Sequence, residues 1–180
     1  RIGKTAKVIH PWEAGYYPDG QADYPVSGIS WFEANAYAKY VNKSLPSLYH
    51  WNRAADTRSS GAIIPKSNFN GKNTLAVGSA GGVSSFGNYD MAGNVREWCE
   101  NKSSENTRVI LGGGFDDLTY MFTDFYAQGP WMRGSTNGFR CMKEIGASNQ
   151  NAYKEISLPF RDYYSEEPVT DETYNFFLKQ

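Results

Sequence analysis

The chain has 180 residues, 40% of them hydrophobic and 16% aromatic, with 18 Lys and Arg against 19 Asp and Glu. A chain of this length suits one domain that buries roughly two thirds of its unfolded surface, so it needs no disulfide or metal staple to fold. The net charge of -1 gives no basic excess for phosphates, two cysteines exclude a disulfide scaffold or a C-x-x-C zinc site, and no apolar run is long enough to span a bilayer.

Residues 1 to 29 read as irregular, because Pro11, Gly15, Pro18, Gly20 and Pro25 interrupt any regular element. A helix is expected over 30 to 42. Ser30 and Glu33 form a capping box, Trp31, Ala34, Ala38 and Val41 recur at helical spacing, and Asn42 suits the left-handed end. A second helix starts from a Ser47 cap, with Leu48, Trp51 and Ala55 on one face. A long loop rich in Gly, Ser and Asn is expected from 58 to 88. Short strands are expected at Val95 to Glu100, Arg108 to Gly112 and Gly138 to Lys143. From about residue 146 the chain gains charge and loses turn glycines. Thr170, Asp171 and Glu172 open a terminal helix with Tyr174, Phe177 and Leu178 on its apolar side. These elements amount to a mixed α+β domain with little regular structure. Both ends read as cuts through a longer protein.

Most signatures of chemistry are missing. GSAGG at 78 to 82 has the wrong order for a nucleophile elbow, and GGG at 112 to 114 lacks the spacing of a phosphate loop. His10 and His50 are the only histidines, too few for an ordinary catalytic zinc. Cys99 and Cys141 could form one bridge or stay as reduced core residues, the second being the commoner state of a lone buried pair. The stretch YDMAGNVREWCEN, residues 89 to 101, holds more. On a strand Val95, Glu97 and Cys99 share one face, and Arg96 and Trp98 share the other. Two readings of Glu97 stand: a hairpin glutamate paired with Lys or Arg, or a buried carboxylate held by a cation. With Asp90 across the Gly93–Asn94 turn, that cation could be calcium, which favours oxygen ligands.

Four segments carry a resemblance. YPVSGISWFEANAYAKYVNKSLPSLYHWNRAA, YDMAGNVREW, RVILGGGFDD and NGFRC occur in the order found in formylglycine-generating-enzyme (sulfatase-modifying factor) domains. The resemblance implies a variant of the C-type lectin fold over residues 1 to 145, with two helices, a small antiparallel sheet and many ordered loops. It also implies that the family's N-terminal part precedes Arg1, and that 146 to 180 extends or links the domain. By resemblance, calcium would be held by the Asp90 and Glu97 side chains and the Gly93 and Val95 carbonyls. The family's second calcium site, near Asn68 and Phe69, is not expected, because that loop is shortened. Copper is not expected either: the interval where the family's enzymes carry their copper-binding cysteines, DDLTYMFTDFYAQGPWMRGST, contains none.

The implied role is a non-catalytic module that binds an unidentified ligand, a glycan or a peptide, or a neighbouring domain. Its cleft would be lined by Asp116, Asp117, Tyr120, Tyr126, Trp131 and Arg133. Two alternatives are a degenerate enzyme using Asp116 and Asp117 as acid and base, and a structural spacer between catalytic domains. The tail PFRDYYSEEPVTDE resembles a connector in large bacterial proteins that carry a Ser/Thr kinase before this module. The residues assign no compartment.

Overall fold

The structure is a computed structural model that describes residues 17–104, 106–157 and 169–178. His10 and residues 159–168 of the connector-like tail lie outside the described residues.

Helix α1 runs Trp31–Tyr40, and its start is the expected capping box. The Ser30 hydroxyl accepts from the Glu33 amide, and the Ser30 amide donates to Glu33 Oε2 at 2.8 Å. Asn42 takes the left-handed conformation just past its end. Helix α2, Leu48–Ala55, starts from Ser47, which accepts from the His50 amide, and stops at left-handed Asp56. The expected loop after it opens with helical turns instead. A 3-10 turn, the single turn α3 at Ser60–Ile63 and a second 3-10 turn carry the chain from Thr57 to Lys66 and bury Ile63. Gly61 and Pro65 read as breakers in sequence. Pro65 falls in the first turn of a 3-10 helix, where its missing N–H costs little.

The sheet has four strands: β1 Arg96–Ser104, β2 Thr107–Leu111, β3 Ala127–Gln128 and β4 Asn137–Gly138. Their order is β3-β2-β1-β4. β1 and β2 form an antiparallel hairpin and β3 adds to it antiparallel, but β4 runs parallel to β1. The sheet is therefore mixed rather than wholly antiparallel. The strand expected over Gly138 to Lys143 shortens to two residues, followed by an isolated bridge between Ser44 and Met142.

β1 is buried on both faces. Cys99 and Val109 join Trp51, Ala55, Ile63, Met91 and Phe122 in one hydrophobic cluster. Trp98 and Ile110, cross-strand partners, join Trp31, Ala34, Ala38 and Leu45 in another. Adjacent residues 98 and 99 thus point into opposite cores, one served by α1 and the other by α2. Three indole N–H groups are satisfied inside them. Trp31 donates to Cys99 O at 2.8 Å, Trp98 to Ile29 O at 3.0 Å and Trp51 to Glu97 Oε2 at 2.7 Å. At the far end of the chain α4 occupies Asp171–Leu178, where the terminal helix is expected. Among the described residues no helix is long and apolar enough to cross a membrane.

Ser30 caps α1 while wholly buried, so Ser30→Ala removes a cap that water cannot replace. We expect a loss of about 1 kcal/mol in urea unfolding; an unchanged midpoint would refute the capping role.

Candidate functional site

The turn before β1 is built from left-handed residues. Asp90, Gly93 and Asn94 have φ of 54°, 74° and 63°. Gly93 is required twice over, since a Cβ there would run into the Asn68 backbone. Asn94, almost fully buried, is the turn's anchor. Its side chain accepts from Leu75 N at 2.9 Å and donates to Leu75 O at 3.1 Å. Its amide donates to Asn68 O, and its carbonyl accepts from Phe115 N. One asparagine therefore joins the 68–75 loop, the turn and the 112–117 segment. Asparagine tolerates the left-handed region, which suits it to this post.

Glu97 is 4% exposed. Arg140 holds it in a two-pronged pair: Nε to Oε2 and Nη2 to Oε1, both 2.6 Å. Oε2 also accepts the Trp51 indole. Arg140 Nη2 donates to the Tyr89 carbonyl at 3.0 Å. Burial alone would lower the Arg140 pKa, but the charges of Glu97 and Asp90 raise it, so the guanidinium stays fully charged. A cleft of about 390 Å³ opens beside the pair, lined in part by Tyr89, Asp90, Asn94, Glu97 and Arg140.

These are the residues expected to hold calcium. Calcium takes six to eight oxygen ligands. Both Glu97 oxygens are already engaged by Arg140, and Asp90 Oδ2 accepts the Gly78 amide at 2.6 Å. As they stand, both Glu97 oxygens face a guanidinium, and an ion there would have to share them with Arg140. Of the two readings of Glu97, the geometry is that of a buried carboxylate held by Arg140. The motif NGFRC carries Arg140, to which the sequence alone assigns no role.

The residues expected to line a cleft separate into two groups. Arg96 pairs with Asp117 through Nε–Oδ2 at 2.7 Å and Nη2–Oδ1 at 2.5 Å, and its guanidinium lies 4.6 Å from the Tyr126 ring. Asp117 also accepts the Gly114 amide at 2.6 Å. Burial would raise the Asp117 pKa, yet Arg96 and the Gly114 N–H outweigh it and hold the carboxyl below its usual value. Asp117 is thus a fixed anion, and Asp116 beside it is exposed, so the two do not form an acid–base pair. The second group rests on α1. The Trp131 ring stacks on Phe32 with centroids 4.2 Å apart, and Arg133 pairs with Glu33 at 3.0 and 2.8 Å. Trp131 remains 72% exposed. Tyr120 is exposed on a 3-10 turn.

The two cysteines lie on different sides of the sheet. Cys99 is buried in the Trp51 cluster, and Cys141, half-buried, packs against the Trp98 cluster. Burial, then the charges of Glu97 and Glu100, push the Cys99 thiol well above its usual pKa. A copper site needing two thiolates does not fit this placement. His50 is taken by the α2 cap, its Nδ1 2.8 Å from Ser47 Oγ.

Residues 6–145 match the sulfatase-modifying factor enzyme 1-like domain. The chain is 33% identical to the serine/threonine-protein kinase Pkn1 of Chlamydia trachomatis serovar L2, across 70% of this chain and 25% of that protein. It is 27% identical to the inactive C-alpha-formylglycine-generating enzyme 2 of Bos taurus, across 69% of this chain and 52% of that protein. The chain thus spans only about a quarter of the kinase's length. Among solved structures, CarF superposes with a TM-score of 0.56 at 22% identity, over 71% of this chain and 70% of CarF. Variable protein 1 of Treponema denticola gives 0.56 at 17% identity, over 68% and 72%. Both share the fold.

Arg140→Met leaves Glu97 charged without its partner. We expect a loss of about 3 kcal/mol, the low end for breaking a buried pair because the Arg140 side chain is 29% exposed. Glu97→Gln in the same protein should recover part of it, and additive losses would refute the pair. Asp117 gives a pH test. Its lowered folded pKa adds stability that is present above the unfolded value near pH 3.9 and is lost as pH falls through the folded value. Asp117→Asn should flatten the acid limb of thermal stability between about pH 4 and 2; an unaltered slope would contradict the assignment.

Proposed function

The chain belongs to the sulfatase-modifying factor enzyme 1-like family, and on that premise we propose that it is a binding module of the family without its copper chemistry. The observation that carries this reading is the placement of the two thiols. Cys99 and Cys141 sit against opposite faces of β1, so one metal cannot take both. The interval between 116 and 136 holds no cysteine to replace them.

Binding is proposed at the loop that leans on α1. Pro130 O accepts the Trp31 amide at 3.0 Å, which seats the loop on the helix start. A row of rings stands behind it. The Arg108 guanidinium lies 3.8 Å from the Trp31 ring, Trp31 meets Phe32 edge-on at 5.3 Å, and Phe32 carries Trp131. An exposed indole held by such a row loses little freedom when a ligand stacks on it. Arg133 and Glu33, exposed beside it, offer a donor and an acceptor to polar groups. A glycan or an extended peptide with ring or sugar faces fits this chemistry. The likeness to a kinase and to an inactive enzyme of the family supports a module that works beside other domains of a longer protein.

At the Asp90–Glu97 turn the proposal is that Arg140 takes the role that calcium would play. A divalent ion bound by Asp90, Gly93, Val95 and Glu97 would have to draw Glu97 away from Arg140.

Three measurements bear on these points. A chelator should leave the melting temperature unchanged and calcium should not raise it; a shift of several degrees would restore the calcium site. A cysteine-containing sulfatase peptide should remain unconverted in the presence of copper and oxygen, and any formylglycine product would overturn the non-catalytic reading. In a screen of glycans and peptides, Trp131→Ala should weaken binding of a hit by about tenfold, as loss of one stacking face costs on the order of 1 kcal/mol; equal binding would move the site elsewhere.

A further inference from the structure

The family match ends at residue 145, but the folded body does not. A 3-10 turn follows at Gln150–Tyr153, capped by Asn149, whose side chain accepts the Asn151 amide at 3.1 Å. Ile156 donates its amide to Lys102 O on β1 at 2.8 Å, and its side chain packs against the Trp51 cluster. Tyr153 donates its hydroxyl to Glu144 at 2.6 Å and lays its ring 5.8 Å from His50 on α2.

Asn101 joins these pieces. It is wholly buried on β1. Its Oδ1 accepts the amide of Leu48, the first residue of α2, at 2.7 Å. Its Nδ2 donates to Ala152 O and Lys154 O, both at 2.8 Å. Both amide hydrogens are used, and the oxygen serves a helix amide that has no partner within its own helix. No aliphatic residue of that size could serve all three groups. A buried amide bonded at every hydrogen is costly to disturb, because each lost partner leaves a polar group without water.

We infer that residues 149–156 are a strap latched by Asn101, and that the latch links the chain leaving the domain to the helix turn that presents Trp51 to Glu97. Leu48 and Trp51 lie one turn apart on α2. A pull on the chain beyond the strap therefore reaches the Glu97–Arg140 pair through one helical turn. On this reading residues 149–156 belong to the same folded body as β1 and α2.

The test uses the full chain with Asn101→Asp and, separately, Ile156→Ser. The aspartate keeps the acceptor for Leu48 but faces two carbonyl oxygens with no hydrogen to give. Hydrogen exchange at the Ile156 amide and at the Trp51 indole should rise by about tenfold in both variants, while the Ile110 amide in the core changes little. Because Ile156 itself packs against the Trp51 cluster, its variant reports the strap as a whole, and faster exchange of the Trp51 indole in Asn101→Asp reports the link. Faster exchange at Ile156 with an unchanged Trp51 indole would overturn the link. Equal acceleration at Ile110 would overturn the latch, making Asn101 a general core residue.

Discussion

A carboxylate inside a protein must find a cation and donors, and Glu97 makes that demand near the start of β1. Left unpaired at this depth it would cost several kcal/mol. The answer draws on three separate pieces of chain. Arg140 comes from the segment after β4, Trp51 from α2, and Tyr89, which shares Arg140, from the turn before β1. The charge therefore sets where four elements meet. Hydrophobic burial supplies the larger part of the stability, but it is not directional. The carboxylate adds direction.

Around that point the domain solves the problem of having few regular elements. A sheet with two strands of only two residues cannot satisfy many backbone groups by itself. Side-chain amides do so instead. Asn94 serves three loop segments, Asn101 serves α2 and the strap, and Asn88 donates to the last turn of α2 at Ala54 O. Each amide offers both a donor and an acceptor, so one buried residue can close two loops. Two cores on opposite faces of β1 then lock the hairpin, with three indoles each donating to a fixed oxygen.

The family scaffold here holds its two thiols against opposite faces of β1. The same ring and ion pairs that would flank a reaction here brace loops: Arg96 with Asp117 and Tyr126, and Glu33 with Arg133. Among the exposed rings Trp131 is seated on Phe32 and stays open to solvent.

Local rules were enough for part of this. The Ser30–Glu33 box, the Ser47 cap, the left-handed Asn42 and the terminal helix all depend on neighbours within four residues, and such contacts can be read along the chain. The four motifs placed the family. The short helical turns after α2 were hidden by Gly61 and Pro65, whose local preferences were overruled by burial of Ile63. The parallel pairing of β4 and the two-sided burial of β1 could not be read, because a strand's pattern states what is apolar and not what covers it. The partner of Glu97 lay furthest out of reach. Arg140 stands 43 residues away, and only the closing of the sheet brings the two charges together. Sequence determined that a carboxylate would sit on the strand after this turn; tertiary structure decided that Arg140 would meet it, since charge pairing across loops is set by the path of the backbone and not by spacing along it.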